Sequence, residues 1–308
     1  MDQFLQTLKD GTTIGSLYAL IALGYTMVYG ILKFINFAHS DIVVLGAWIS
    51  LTLSTAIMKL LGVEAAPWWL GGLTLMLAML FCGLLGFSIE RLAYKRLRKA
   101  PRINVLITAI GVSLLLQNLG QLQPFFGTSP RTIPNLITDA KLISIGQVHI
   151  TTLDLVGAGT AVVLMLALDR LVFHSKLGRG MRAVSHSPQN ASLMGVNVDG
   201  IISFTFVLGS MLAAAGGFLW ALKYETIKQP ADSSWTLLGL KAFVAAVVGG
   251  IGNIRGAMIG GLAIGLLENF GSSYISSSMR DVYVFALLII VLLIKPGGIL
   301  GKATVEKV

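Results

Sequence analysis

The chain has 308 residues, of which 55% are hydrophobic and only 12% are charged, and its mean hydropathy is +0.80. Soluble domains usually carry about a quarter charged residues, so this composition excludes an ordinary soluble protein. The net charge of +9 does not indicate a nucleic-acid binder, because the basic residues lie between apolar runs instead of on one solvated face.

Uncharged segments of membrane-spanning length recur along the chain. A helix that crosses a bilayer needs roughly 20 mainly apolar residues, and a charge at its centre costs at least about 2.5 kcal/mol. The first segment has no small-residue cleavage site, which predicts a retained span rather than a signal peptide. The pattern predicts an all-α polytopic membrane protein with about eight or nine transmembrane helices in a single domain over 1–308. The first six predicted crossings are 11–32, 42–58, 65–89, 103–130, 150–173 and 200–222.

Polar residues occur at two places in or beside these spans. Asn36, His39 and Asp41 are predicted to open the second span on its cytoplasmic side, and Gln117 and Asn118 lie within the fourth. Amide side chains inside lipid must find hydrogen-bond partners or water. Gln117 and Asn118 therefore either form interhelical hydrogen bonds or line a translocation path. Asn36, His39 and Asp41 either cap the entrance of the second helix or line the same translocation path.

The basic residues predict the orientation of the chain. The connections 91–102 and 170–182 hold ten of the 23 Lys and Arg residues, and because two crossings separate them they share a side of the membrane. By the positive-inside rule this side is the cytoplasm. The N-terminus is then expected outside and the C-terminus in the cytoplasm.

The cytoplasmic connection 174–199 carries signals for a structure of its own. Ser187 suits an N-cap, Pro188 suits the first helical position and Gly195 suits a left-handed stop, so the sequence predicts a two-turn helix over 188–194. A helix this short is not stable alone. It either lies on the membrane domain or docks on a cytoplasmic partner. The apolar residues offered for docking are Ala191, Leu193 and Met194.

A Gly-rich pair of short apolar segments follows, 237–248 and 256–267, before a last predicted span over 280–294. Each segment has about 12 residues, or roughly 18 Å of helix, which is short for a crossing. The pair is predicted to be either a broken-helix hairpin or two steeply packed spans. Broken helices beside a passage recur in transporters. The helix-breaking residues are Gly249, Gly250, Gly252 and Asn253, and the charged residues of the two arms, Lys241 and Glu268, are expected to form an internal ion pair or to snorkel.

Signatures of catalysis and nucleotide binding are missing from the sequence. The Gly-rich run 297–302 is one residue short of a phosphate loop, lacks the Ser or Thr that binds magnesium and follows a span rather than a strand. There is no His-Glu-x-x-His motif, and the single cysteine, Cys82, excludes a Cys-based metal site. An intramembrane protease needs a Ser and a His within spans, and His39 is the only candidate. We therefore expect no enzymatic activity, cofactor or metal in this chain.

Several runs together resemble one known family nearly end to end. The chain is similar to the membrane permeases of ATP-driven branched-chain amino acid importers, in particular the LivH-type subunit. It departs from the family pattern at Ser40 and Asp41, where Gly-Glu is usual, and at Arg255, where Pro is frequent. The runs that carry the resemblance are GSLYALIALGYTMVYG (15–30), INFAH (35–39), SIERLAY (88–94), GRGMRA (178–183), ASLMGVN (191–197), KAFVAAVVGGIG (241–252), GAMIGG (256–261) and PGGILG (296–301).

The resemblance implies a division of labour among subunits. A permease of this type pairs with a second, homologous permease in the bacterial inner membrane, and two cytoplasmic subunits bind ATP and Mg. A periplasmic binding protein delivers leucine, isoleucine or valine. The 188–194 helix is then a coupling helix that docks on an ATP-binding subunit, with Arg179 and Arg182 near its rim. The translocation path is expected to follow the two polar groups described above and the Gly-rich break.

Other functions compete with this one. A permease for urea, short amides or another small polar solute has the same architecture. An ion-coupled secondary transporter needs acidic residues within the spans, and only Asp154 and Glu268 come near. Uptake that depends on separate ATP-binding subunits distinguishes the importer from the secondary transporter.

Overall fold

The computed structural model describes residues 2–98, 100–146 and 148–301, so the predicted cytoplasmic C-terminus lies outside the described residues. Helices dominate this part of the chain, as the sequence predicts. The helices are α1 (Asp2–Leu32), α2 (His39–Leu61), α3 (Leu70–Ile89), α4 (Arg102–Gln121), α5 (Thr152–His174), α6 (Lys176–His186), α7 (Pro188–Leu193), α8 (Val198–Tyr224), α9 (Ser233–Gly249), α10 (Ile254–Tyr274) and α11 (Arg280–Ile294). The strands are β1 (Arg131–Thr132), β2 (Lys141–Ile145), β3 (Val148–Thr151) and β4 (Thr226–Ile227).

Within the described residues, seven helices are long and apolar enough to cross a membrane. They comprise α1 to α5, α8 and the 277–294 segment that contains α11, in agreement with the six predicted crossings and the last predicted span. The fourth crossing is shorter than predicted, because α4 ends at Gln121 and Leu122 is extended. Pro124 explains the early end, since proline cannot continue a helix and disfavours helical backbone before it.

The two helices of the Gly-rich pair are longer than predicted. Helix α9 has 17 residues and α10 has 21, which correspond to about 25 Å and 31 Å. Helix α10 lies antiparallel to α1 over nearly its whole length. Close approaches at Gly15 with Leu262, and at Gly252 with Gly30, mark this contact, and Gln3 Nε2 donates to Ser273 O at 3.4 Å near its far end. The expectation of two 12-residue arms is therefore wrong.

Helix α1 forms the centre of the bundle. Its residues from 13 to 28 are all buried, because α8, α9 and α10 surround it. Glycines allow these helices to approach closely, as at Gly216, where a Cβ would lie 2.6 Å from Ile21. Helices α4, α5 and α11 lie at the periphery and expose apolar side chains such as Ile107 and Leu293. An apolar outer face of this kind suits contact with lipid.

The bundle has two ends of different character. We call one the basic end; it holds residues 95–98 and 100–102, α6, α7, the turn 250–253 and the segment 295–301. Ion pairs bring its parts together, including Arg98 with Asp199 at 2.5 Å and Arg255 with Asp169 at 2.9 Å. We call the other the hairpin end; it holds the first turns of α1 and the segments 62–69, 122–146, 148–151 and 225–232.

Short strands at the hairpin end were missed by the sequence reasoning, which predicts only helices. Strands β2 and β3 form an antiparallel hairpin, and β1 pairs with β4. The N–H of Ile133 also donates to the carbonyl of Glu225 at 2.9 Å. These pairs give hydrogen-bond partners to the backbone of the long connection between α4 and α5, whose described residues form no helix.

Candidate functional site

Helix α7 has the local structure that the sequence predicts. The Ser187 side chain accepts a hydrogen bond from the N–H of Asn190 at 3.2 Å, and Pro188 occupies the first turn. At the other end Gly195 has φ +78, and the N–H of Val196 donates to the carbonyl of Ala191 at 3.0 Å. Because both ends are fixed by their own residues, the short helix is presented as a rigid unit.

The exposed face of α7 differs from the expected docking surface in one residue. Leu193 and Met194 are 86% and 84% exposed, so both large apolar side chains are open to contact. Ala191 is only 4% exposed and packs into the protein core, so it cannot offer a docking surface. Of the three residues, only Leu193 and Met194 are exposed, and Ala191 anchors the helix.

A second helix in the same connection, α6, was missed. Met181 and Val184 lie on its buried face, and Arg179 lies on its exposed face. Ser175 caps it by accepting from the N–H of Gly178 at 2.9 Å. The Ser185 hydroxyl donates to the carbonyl of Gly30 at 2.7 Å and so ties α6 to the end of α1. The helical spacing of Gly178, Met181 and Val184 indicates this helix in the sequence, but the charged residues between them hide the pattern.

The two arginines predicted beside α7 have different roles. Arg179 is exposed, and no ion pair or hydrogen bond of its guanidinium group occurs among the described residues. Arg182 donates to the carbonyl of Val172 and lies over the Phe173 ring at 5.6 Å. Arg182 therefore fixes the corner between α5 and α6, and only Arg179 is free to meet a partner.

A buried polar cluster surrounds the start of α2. His39 Nε2 lies 3.2 Å from the carbonyl of Ile21, and the His39 ring packs on Tyr25 at 4.5 Å. A Cβ at Gly24 would overlap the His39 ring, so glycine makes room for it. Gly24 lies about 12 Å along α1 from the basic end at Leu32. Helix α2 thus opens the second span from the side of the basic end, but its first residue lies inside the bundle.

The other members of this cluster are bound by neighbouring helices. Asn36 Oδ1 accepts from the Tyr94 hydroxyl at 2.7 Å, and Asp41 Oδ1 accepts from Gln117 Nε2 at 2.8 Å. Asn36, His39 and Asp41 are all at least 96% buried. The second oxygen of Asp41, Oδ2, is buried and has no hydrogen-bond partner among the described residues. No side chain caps α2, whose N-cap is Ala38.

Gln117 and Asn118, predicted together, lie in different surroundings. Gln117 binds Asp41 and also donates to the Ser113 hydroxyl at 3.2 Å. Asn118 is exposed on the outer face of α4 and donates to the Leu114 carbonyl of its own helix at 2.7 Å. The structure therefore brings only Gln117 into the buried polar cluster.

Replacing Gln117 with leucine is expected to destabilise the protein by about 1.5–3 kcal/mol, because the Asp41 carboxylate loses a charge-assisted hydrogen bond in a buried site. Asn118→Leu is the matched control, since its amide has only a local partner. The midpoint of thermal unfolding in detergent measures the difference. Equal midpoints for the two variants would contradict the assignment of Gln117 to the cluster.

The segment 296–301 provides hydrogen-bond partners for the backbone at the turn between α9 and α10. The N–H groups of Ile299 and Leu300 donate to the carbonyls of Val248 and Gly249 at 2.8 and 3.0 Å. Asn253 caps α10 by accepting from the N–H of Gly256 at 3.2 Å, and its amide donates to the Leu300 carbonyl at 2.8 Å.

Glycine is required at this turn by backbone conformation and by space. Gly250 and Gly252 have φ of +110 and +91, and a Cβ on Gly250 would lie 2.5 Å from the nitrogen of Gly301. A Cβ on Gly249 would overlap the carbonyl of Gly256. The helix break predicted from these residues is therefore a turn at the basic end, between two complete helices.

Comparison with known proteins identifies the family. A family model described as the branched-chain amino acid transport system permease component matches residues 7–292. The chain belongs to this family. Its members are permease components of transport systems, so the resemblance found in the sequence is confirmed, as is the expectation of a transport subunit rather than an enzyme.

Full-length relatives of this permease share a large part of its sequence. It is 42% identical to the high-affinity branched-chain amino acid transport system permease protein LivH of Salmonella typhimurium and to LivH of Escherichia coli. Each alignment covers 99% of this chain and 98% of the relative. BraD of Pseudomonas aeruginosa, named as a permease of the same kind of system, is 39% identical over 99% of this chain and 98% of its own length.

The permease also contains the internal ion pair that the sequence predicts. Lys241 Nζ lies 3.0 Å from Glu268 Oε1, and both side chains are buried. Tyr18 donates to the other Glu268 oxygen at 2.8 Å, Asp281 lies 2.6 Å from Lys241, and Arg280 lies 3.3 Å from Glu268. With every charge paired, the network joins α9, α10 and α11. Among the described residues, no group of three His, Cys, Asp or Glu side chains is arranged to hold a metal.

Proposed function

We propose that this permease is the membrane-spanning subunit of an ATP-driven importer for the branched-chain amino acids leucine, isoleucine and valine. The observation that carries the proposal is the full-length identity of 42% to LivH. The exposed apolar tip of α7, held rigidly at the basic end, provides the contact that such an importer needs with its source of energy.

The other subunits follow from the family architecture. A second, homologous permease lies beside this one, two cytoplasmic subunits bind ATP and Mg, and a periplasmic binding protein delivers the amino acid. Leu193 and Met194 enter a cleft of one ATP-binding subunit, and Arg179 lies beside them. Both apolar side chains lose solvent exposure on docking, which favours the contact.

The basic end faces the cytoplasm of a bacterial cell, and the hairpin end faces the periplasm. The concentration of Lys and Arg at the basic end supports this orientation through the positive-inside rule. Helices α9 and α10 each cross the inner membrane, because α10 follows α1 from one end of the bundle to the other. Nine crossings then place the N-terminus outside and the C-terminus in the cytoplasm.

Movement of α7 reaches the membrane helices through α6. The Ser185 contact with Gly30 joins α6 to α1, and Arg182 joins it to the end of α5. Because α1 is packed on all sides, its displacement changes the contacts of several helices at once. ATP binding and hydrolysis in the partner subunits would in this way expose the translocation route alternately to the two sides of the membrane.

The route passes the buried cluster of Asn36, His39, Asp41 and Gln117. The unpartnered Asp41 oxygen and the start of α2 supply polar groups deep in the bundle, where lipid supplies none. Gly252, beside Gly30, lies at the inner end of this route. Gly249, Gly250 and Asn253 shape that end by fixing the turn against the segment 296–301.

An uptake assay tests the proposal. Cells that lack their own branched-chain uptake are given this permease together with its second permease, ATP-binding subunits and binding protein. We expect leucine uptake that requires ATP and that disappears when the ATP-binding subunits are omitted. Uptake by this chain alone on an ion gradient would contradict the proposal. Uptake of urea or a short amide, without leucine uptake, would refute the substrate assignment.

A further inference from the structure

A cavity at the hairpin end lies outside the groups discussed so far. It has a volume of about 160 Å³ and is enclosed by α1, α5, α8 and the segment before β2. A second volume of about 210 Å³ adjoins it, and the two share Ile137, Asp139, Leu153 and Leu222. The polar residues that line only the second volume are Asn135, Thr138 and Glu225.

One side of the cavity carries an available positive charge. Lys223 Nζ lies 3.3 Å from Asp154 Oδ1, while Asp154 Oδ2 receives a hydrogen bond from Lys9 at 2.8 Å. Both Asp154 oxygens are therefore occupied. An ammonium group has three donors, and Asp154 uses one of those on Lys223. Because the Lys223 side chain is 24% exposed and lines the cavity, its remaining donors can meet an anionic group.

A negative charge lies at the mouth of the same cavity. Asp139 Oδ1 accepts from the N–H of Leu153 at 3.4 Å, which fixes the carboxylate at the start of α5. The second oxygen remains able to accept from a cation, since a carboxylate has about four lone-pair positions. Asp139 is exposed and lines both volumes, so it lies where the two volumes meet.

The rest of the cavity lining is mostly aliphatic. Small-molecule sites combine a mostly apolar lining with a few placed polar groups. We infer that this cavity binds a zwitterionic amino acid with an aliphatic side chain, its carboxylate at Lys223 and its ammonium at Asp139. The inference deepens the proposed function, on which it rests, by giving the permease its own outer binding site. The apolar lining residues are Leu17, Ile137, Leu153, Val156, Leu219 and Leu222.

Protection of an introduced cysteine tests the site in the full chain. The sole native cysteine, Cys82, is buried, so Leu153→Cys supplies the reactive thiol. A water-soluble thiol reagent is added to membrane vesicles whose hairpin end faces the reagent. Leucine at ten times its Kd is expected to slow the labelling about tenfold. Leucine amide, which lacks the carboxylate, and 4-methylpentanoate, which lacks the ammonium, are expected to protect far less.

Two pairs of variants separate ligand binding from folding. Gly157 lines the cavity and Gly159 does not, and a Cβ at either position meets nothing within 4 Å. Gly157→Val is expected to abolish protection by filling the cavity, and Gly159→Val is expected to preserve it. Lys223→Gln is expected to weaken leucine binding about tenfold or more, while Lys228→Gln, on the adjacent loop, leaves it unchanged.

Three results would overturn the inference. They are a Leu153→Cys thiol that is never labelled, equal protection in the Gly157 and Gly159 variants, and protection that depends on added phosphatidylethanolamine instead of leucine. If only the binding-site inference is wrong, the complete transporter still takes up leucine. If the proposed function is wrong, leucine uptake is absent, so the two outcomes are distinguishable.

Discussion

Replacing Gly265 with leucine is expected to leave almost no folded permease. A Cβ at this position would overlap the Cα and nitrogen of Gly15 and would lie 2.7 Å from the carbonyl of Gly11. All three atoms belong to the backbone of α1, so no side-chain rotation can relieve the overlap. The two helices must separate, at a cost of about 3 kcal/mol or more, because the added volume enters a packed core.

Gly111→Leu is the matched control for this substitution. Gly111 lies on the exposed face of α4, and a Cβ there meets nothing within 4 Å. Both variants gain similarly in helix propensity. The yield of monodisperse protein in detergent and its melting temperature measure the effect. A Gly265→Leu variant as stable as Gly111→Leu would show that α1 and α10 are not packed as described.

Replacing Leu193 with glutamate is expected to abolish transport without reducing the amount of folded protein. The side chain is 86% exposed and contributes little to the fold of this chain. In the proposed complex it is buried against an ATP-binding subunit, where a charge costs at least about 2 kcal/mol, or about thirtyfold in affinity. Leucine uptake and co-purification of the ATP-binding subunits are the two measurements.

Leu60→Glu is the control for this second substitution. Leu60 is also 86% exposed but lies at the hairpin end, in the last turn of α2. We expect this variant to retain its ATP-binding subunits. Loss of those subunits from both variants, or from neither, would count against α7 as the coupling helix. Substitution of Ala191 gives no such test, because its burial makes misfolding the first consequence.

Local chemistry made part of this structure predictable from the sequence. The ends of α7 follow from Ser187, Pro188 and Gly195, whose effects extend only over neighbouring residues. The last span, 280–294, coincides with α11, since an uninterrupted apolar run defines it. The Lys241 and Glu268 ion pair was predictable because two buried charges of opposite sign must find partners.

Features that depend on contacts between distant segments were not predictable. The depth of His39 is set by Gly24 of α1, which leaves space for its ring. The turn at Gly250 lies at the basic end because the segment near Leu300 binds it, some fifty residues later in the chain. Hydrophobic periodicity carries no information on either contact. Asn118 is a different case, because adjacent residues of a helix point about 100° apart and Asn118 therefore leaves the buried face of Gln117.

The orientation of α7 decides whether the proposed coupling is correct. Met194→Cys places a thiol on an 84% exposed position, and Leu60→Cys places one at the opposite end of the bundle. With Cys82 buried, a reagent that cannot cross membranes labels only the introduced thiol. We predict that the Met194→Cys thiol is labelled in inside-out vesicles alone and the Leu60→Cys thiol in right-side-out vesicles alone. The reverse pattern would place α7 outside the cytoplasm and contradict the account.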